Sequence, residues 1–165
     1  MKLNEIFLNE FKDEMAITVK FLEATSEDLF EFQPHEKARK LNELLNHMLP
    51  IPSWIAAIAP NPELDWSKAT PPEVLNTKEG IIKQFKENVA VGEKALEATN
   101  NDQLLENWTM RNGDVILFTG PKETAIRRYV LNHIIHHRAQ LGLYLRLNDD
   151  KVPGSYVRSA DEMLF

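Results

Sequence analysis

His133, His136 and His137, three of the five histidines in this 165-residue chain, crowd into the stretch "NHIIHHRAQ". Neutral imidazole is the commonest biological metal ligand, and two histidines four residues apart on a helix share a face, so His133 and His137 can converge on one ion. A third imidazole from a facing helix would leave coordination positions for water or substrate, which is the catalytic rather than the closed structural pattern. At about 100° per residue, Ile126, Val130, His133, His137, Leu141 and Tyr144 share one narrow apolar face, while His136 falls about 60° to one side, near Tyr129 and Gln140. The same construction sets His47 on a face with Leu44, Ile51, Trp54 and Ile58 in a different segment. Spacing alone leaves two readings open. The inward histidines are either hydrogen-bonded members of an apolar core or metal ligands, and each brings two ring nitrogens that need partners if buried.

These side chains must be positioned by helices. The first segment, about residues 2 to 24, carries Leu3, Ile6, Phe7, Phe11, Met15, Thr18, Val19 and Leu22 at three- and four-residue steps, the stripe of a helix packed on one side. A second, about 38 to 59, repeats the pattern from Leu41 to Ile58 but contains Pro50 and Pro52. Interior prolines remove amide donors and clash one turn back, so this helix should kink or restart there. A third follows Thr77 and runs to about 98, and a fourth follows Gly120-Pro121 and runs to about Asn148. Between them, Asn112-Gly113 flanked by β-prone residues signals a hairpin. The expected class is all-α, a four-helix bundle with one short β-hairpin between the third and fourth helices, in a single domain over residues 1–165, with the C-terminal tail draped over one end.

Composition narrows the function classes. A formal charge of −6 with no run of Lys or Arg is a poor footprint for nucleic acid. The chain has no cysteine, so any metal site lacks protein thiolates and any thiol chemistry must use the sulfur of a small molecule. Charges throughout "MKLNEIFLNEFKDEM" leave no apolar run for a signal peptide or membrane span, and a cytoplasmic protein acting on a small-molecule substrate is expected.

Two stretches resemble the DinB/YfiT-like family of metal-dependent four-helix bundles. They are "QPHEKARKLNELLNHM" with "SEDLFEF" upstream, and "LNHIIHHRAQLGLYLRLNDDKVPGSY", which fits the family pattern H-x-x-x-H-R-x-Q-L. The order of helices, hairpin and tail agrees over nearly the whole chain. The resemblance implies that His47, His133 and His137 are the three metal ligands, that His136 is not one, and that the protein is a homodimer joined through its helices. It also implies kinship with enzymes that use low-molecular-weight thiols such as bacillithiol or mycothiol, as S-transferases or isomerases. The sequence departs from the pattern at Ala139, where the family often has glycine, and at Pro50 and Pro52 after the first histidine.

A divalent ion, zinc or nickel, held by these histidines would favour the thiolate of a coordinated thiol, or lower the pKa of water to about 7 as in known zinc sites. The first chemistry is a thiol S-transferase and the second a hydrolase. Glu43 and Gln140 flank the histidine faces and are the candidate catalytic residues, to orient a ligand ring or accept a proton, unless they are simply solvated. Trp54 and Tyr144 either wall an apolar pocket or are plain core. Arg138 and Arg146 either meet a cofactor carboxylate or, the better reading, form surface ion pairs. Two alternatives stand beside the enzyme: a non-catalytic metal-binding stress-response or interaction protein, and a helical dimer whose histidines are structural only. With unperturbed histidines, metal affinity should fall below about pH 6 to 6.5.

Overall fold

The computed structural model describes residues 2–162. Helix α1, Leu3–Ala24, buries Phe7, Phe11, Met15, Thr18 and Leu22 of the expected stripe and adds Glu14 and Phe21, while Leu3 and Val19 are half-buried and Ile6 is exposed. A loop then leads to α2, Leu41–Met48, whose first turn closes when the Lys40 amide donates to Glu43 Oε2 at 2.9 Å. Pro50 and Pro52 each lack the amide a continuing helix would need. The chain accordingly leaves α2 through a single 3₁₀ turn, Ile51–Ser53, and restarts as α3, Trp54–Ile58.

Helix α4, Lys78–Glu97, is capped by Thr77, whose Oγ1 accepts the Gly80 amide at 3.2 Å. It packs along α1 and against the proline turn. That contact is tight enough to require glycine: a Cβ on Gly92 would lie 2.4 Å from the Pro52 carbonyl oxygen and 2.7 Å from the Phe11 ring. The α1–α4 pair thereby sets where the proline turn sits, and with it the exit from α2. A short α5, Asn101–Leu105, follows, held by reciprocal bonds between Asn100 and Gln103.

The expected all-α class does not hold. Strand β1, Glu63–Asp65, pairs in parallel with β2, Asn107–Asn112, which pairs antiparallel with β3, Val115–Pro121, so the helices carry a three-stranded mixed sheet in the order β1-β2-β3. A bare hairpin leaves amides of β2 without partners, and the loop after α3 supplies them, beginning with Pro62 O accepting from the Thr109 amide at 3.0 Å. Asp65 then locks the third strand in place. Its Oδ1 accepts from the Gly113 amide and from the Ser67 amide and hydroxyl, bonds that hold its carboxyl down at about 2, with Gly113 the largest cause. Asn112 pairs with Val115, so the turn residues are Gly113 and Asp114, one position later than the Asn-Gly signal, with Gly113 in the left-handed region at φ +59°.

The last helical segment is not uniform either. It consists of α6, Lys122–Ile126, a π-turn, Arg127–Leu131, and α7, Asn132–Leu147, which packs on both α1 and α2. The four long helices of the sequence reading are therefore two uninterrupted helices, α1 and α4, and two composite ones. The tail is described as far as residue 162, the last three residues lying outside the described range. It is fastened by Asp161, which accepts from Arg146 and the Val152 amide, and by Glu162, which accepts from the Gly154 amide. Among the described residues no helix is long and apolar enough to cross a membrane.

Candidate metal centre

α2 and α7 bring His47, His133 and His137 together, with one ring nitrogen of each lying within 4.8 Å of the others. The rings pack mutually edge to face or tilted, with centroids 4.6 Å apart for His47–His137 and His133–His137 and 5.2 Å for His47–His133. His137 is buried, whereas His47 and His133 are half-buried, so the cluster has one side in the core and one side reachable from solvent.

The outer nitrogens decide the tautomers. His133 Nδ1 lies 3.3 Å from the Tyr129 carbonyl oxygen, which can only accept, so the proton belongs on Nδ1 and Nε2 presents a lone pair. His137 Nδ1 lies 2.7 Å from Gln140 Oε1, with the same consequence. His47 Nε2 sits 3.2 Å from His133 Nε2. Because His133 has its proton on the far side, the His47 Nε2–H donates in the metal-free protein. No described residue holds His47 Nδ1, so its proton is free to move there and bare all three inward nitrogens. Imidazoles oriented by an outer acceptor are the usual form of metal-ligating histidine.

Electrostatics favours the same neutral state. Burial lowers the pKa of His47 to about 4, helped by His137, Arg39 and His133. Burial also takes His137 to about 4 against the opposing bond to Gln140, and lowers His133 against the Tyr129 carbonyl. Three rings whose burial favours the neutral form are a donor set suited to a divalent cation of the zinc or nickel class, which takes imidazole nitrogen readily. The window of about pH 6 to 6.5 expected from unperturbed histidines moves lower as a result.

Of the two catalytic candidates, Gln140 is at the cluster, accepting from His137 and donating from Nε2 to His136 Nε2 at 3.1 Å, and His136 itself is exposed. Glu43 is committed to the Lys40 amide and is not a member of the cluster. Trp54 lies against His133 with ring centroids 5.5 Å apart, and Trp66 stacks edge-on behind it at 5.3 Å, giving the centre an aromatic flank. Tyr144 is core, and its hydroxyl donates to the Arg39 carbonyl oxygen at 2.9 Å.

Arg146 makes the surface pair expected of it, with Asp161. Arg138 does not. It is 2% exposed, with Nη1 on Glu14 Oε2 at 2.6 Å and Nη2 donating to Tyr156 OH at 2.9 Å, while the tyrosine hydroxyl donates to Glu14 Oε1 at 2.9 Å. This closed ring joins α7, α1 and the tail behind the histidines. Its signal was present in α1, where Glu14 and Thr18 stand one turn apart inside an apolar stripe. Trp66 carried no such signal, because it reaches the aromatic flank from a single 3₁₀ turn, Trp66–Lys68.

Compared with known proteins, residues 1–163 match the model of the DinB family. A DinB-like protein from Bacillus cereus has a structure similar to this one, with a TM-score of 0.73 and 18% identity over 94% of this chain and 98% of that one. A DinB-like protein from Bacillus subtilis, YjoA, gives a TM-score of 0.71 and 20% identity over 92% of this chain and 99% of that one. At these identities the likeness is one of fold. A search of curated proteins found no match.

Proposed function

The chain belongs to the DinB family, and on that premise we propose that His47, His133 and His137 hold a divalent metal ion, zinc or nickel, through their Nε2 atoms, for a metal-dependent thiol S-transferase or hydrolase. The observation that carries the reading is the convergence of three ring nitrogens within 4.8 Å, two of them turned inward by acceptors on their outer side. A hydrogen-bonded core would account for one such pair but not for a third nitrogen aimed at the same point. When bound, the ion supplies Lewis acidity that favours the thiolate of a low-molecular-weight thiol or the hydroxide of water.

The protein's own residues do the rest. Tyr129 O and Gln140 Oε1 hold the His133 and His137 rings in the ligating tautomer. Trp54 packs on the His133 ring and Trp66 on Trp54, so that one flank of the site is aromatic. Three neutral ligands leave positions for a substrate, the arrangement of catalytic sites. Part of the same proposal is that the protein works as a homodimer on a small-molecule substrate.

The test is metal content by inductively coupled plasma mass spectrometry on untagged protein. About one zinc or nickel per chain is expected, lost in His47→Ala and His133→Ala and kept in His136→Ala. Equal loss in His133→Ala and His136→Ala would overturn the ligand assignment, and metal-free protein that also refuses added zinc would leave the enzyme without its catalyst.

A further inference from the structure

Of the three histidines crowded on α7, only His133 and His137 join the cluster, and His136 stands exposed beside them. It is tied to the centre all the same. Its ring centroid lies 4.9 Å from that of His137, and its Nε2 lies 3.1 Å from Gln140 Nε2. The other end of the same amide, Gln140 Oε1, lies 2.7 Å from His137 Nδ1. One glutamine side chain thus joins the outer nitrogen of a cluster histidine to a histidine on the surface.

The two cluster histidines of α7 are held by different kinds of group. His133 Nδ1 faces the Tyr129 carbonyl oxygen, a main-chain group that can only accept. His137 faces an amide, which accepts at one end and donates at the other, and the two ends are nearly the same size. A half-turn of the Gln140 amide exchanges them. With Oε1 toward His137, the ring carries its proton on Nδ1 and turns the Nε2 lone pair into the cluster, while Gln140 Nε2–H donates to a bare His136 Nε2. With the amide reversed, Nε2–H donates to His137 Nδ1, the His137 proton moves to Nε2, and His136 Nε2–H donates to Gln140 Oε1. The ring then has no lone pair aimed at the cluster. Each arrangement satisfies both ends of the amide, so what stands at position 136 decides between them: an acceptor selects the first and a donor the second.

We infer that His136 is a positioning residue of the metal centre: by accepting from Gln140 Nε2 it holds the amide with Oε1 toward His137 and keeps that ring in its ligating tautomer. This inference rests on the metal reading above. It makes no ligand of His136, so metal stoichiometry does not depend on that residue, whereas metal affinity does.

The experiment measures zinc affinity by competition with a chromophoric chelator, and the ring nitrogen shifts of His136 by NMR, at mildly alkaline pH. In zinc-loaded wild-type protein the His136 proton is expected on Nδ1, with Nε2 bare. His136→Ala leaves the amide unguided and should weaken zinc binding about 2- to 10-fold, the worth of one ordinary hydrogen bond. His136→Lys sets a donor-only group one turn from Gln140, holds the amide reversed, and should weaken binding about 10-fold or more. Asn132→Lys, at an exposed position one turn before His136, adds the same charge without meeting Gln140 and should stay within about threefold of wild type. In a Gln140→Glu background, whose carboxylate accepts from both neighbours, His136→Lys should lose its effect. A His136 proton on Nε2 in the zinc-loaded wild type, or equal weakening by His136→Lys and Asn132→Lys, overturns this inference and leaves the metal reading standing. Wild-type protein that takes up no zinc overturns both.

Discussion

Replacing Gln140 with leucine removes the only acceptor that the described residues offer the outer nitrogen of His137 and leaves side-chain volume nearly unchanged. In the metal-free protein the loss is easily relieved, because the His137 proton can move to Nε2, toward the other rings. Metal binding forbids that escape. It demands a lone pair on Nε2, forces the proton back to Nδ1, and leaves an N–H without a partner on a ring that is 5% exposed. An unsatisfied buried donor costs about 1 to 3 kcal/mol, and loss of a partner behind a metal-ligating histidine costs about 10- to 100-fold in affinity, or about 1.4 to 2.7 kcal/mol. The two estimates agree, so Gln140→Leu should weaken zinc binding by that factor, read by competition with a chromophoric chelator. Gln140→Glu keeps an acceptor at the same reach and should bind zinc at least as well as the wild type. A leucine variant within about threefold of wild type would refute the reasoning, since the bond would then be holding a core histidine and not a ligand.

Further outcomes can be checked on the purified protein. Arg138→Ala leaves the Glu14 carboxylate buried without its cation, which should cost about 3 to 5 kcal/mol and lower Tm by about 6 to 20 °C for a chain of this size. Metal stoichiometry should survive, and a thermal melt unchanged within a degree or two would show that the ring of Arg138, Glu14 and Tyr156 carries no weight. Gly92→Ala drives a Cβ into the Pro52 carbonyl and should destabilise by about 1 to 3 kcal/mol in a urea titration; a neutral result would mean the α4 contact is not tight. Metal-free protein should lose stability on acidification. The folded pKa of His47 and His137 is about 4, below the ordinary 6.5, so between those values the unfolded chain takes up protons that the folded one does not. That contribution is whole above pH 6.5 and drains away as pH falls toward 4, so the His47→Ala, His137→Ala double variant should show a flatter stability profile over the window than the wild type, and equal slopes would count against buried neutral rings.

The parts of the fold that were legible in the sequence are those in which a local pattern and a tertiary contact ask for the same thing. α1 and α4 show an apolar period of 3.6 over five or more turns, and no neighbour contradicts it. Strand β1 is the opposite case. "ELD" in a loop rich in Pro and Asn has no period at all, and it becomes a strand because β2 offers unpaired amides and Asp65 can reach across to Gly113. The all-α class failed on that contact, which is made between residues more than forty positions apart. The π-turn at Arg127–Leu131 is invisible for another reason: an i to i+5 turn has no residue signature, so a uniform rotation of about 100° per residue slips there, and Val130 and its neighbour Leu131 are both buried.

The histidine centre escaped that slip because His133 and His137 lie on the same side of it, within the regular turns of α7. Their mutual geometry depends only on the four-residue spacing, and His47 needed only a facing helix. What stood beyond reach is how α7 is rotated about its own axis, and that is set by the residue next to a ligand. His137 and Arg138 point about 100° apart, one to the metal cluster and the other to Glu14 and Tyr156, so the buried ion pair fixes the direction in which the imidazole must face. The sequence motif joins the two as neighbours, and read residue by residue it made the arginine a surface charge. In the fold the pair works as one device, in which the arginine ties α7 to α1 and the tail at the angle that presents the histidine to His47, while Tyr144, two turns on, donates to the Arg39 carbonyl and ties α7 to the loop before α2. Spacing along one helix can name the ligands, but the contacts that aim them come from α1, the tail and the loop before α2, which no single stretch of sequence contains.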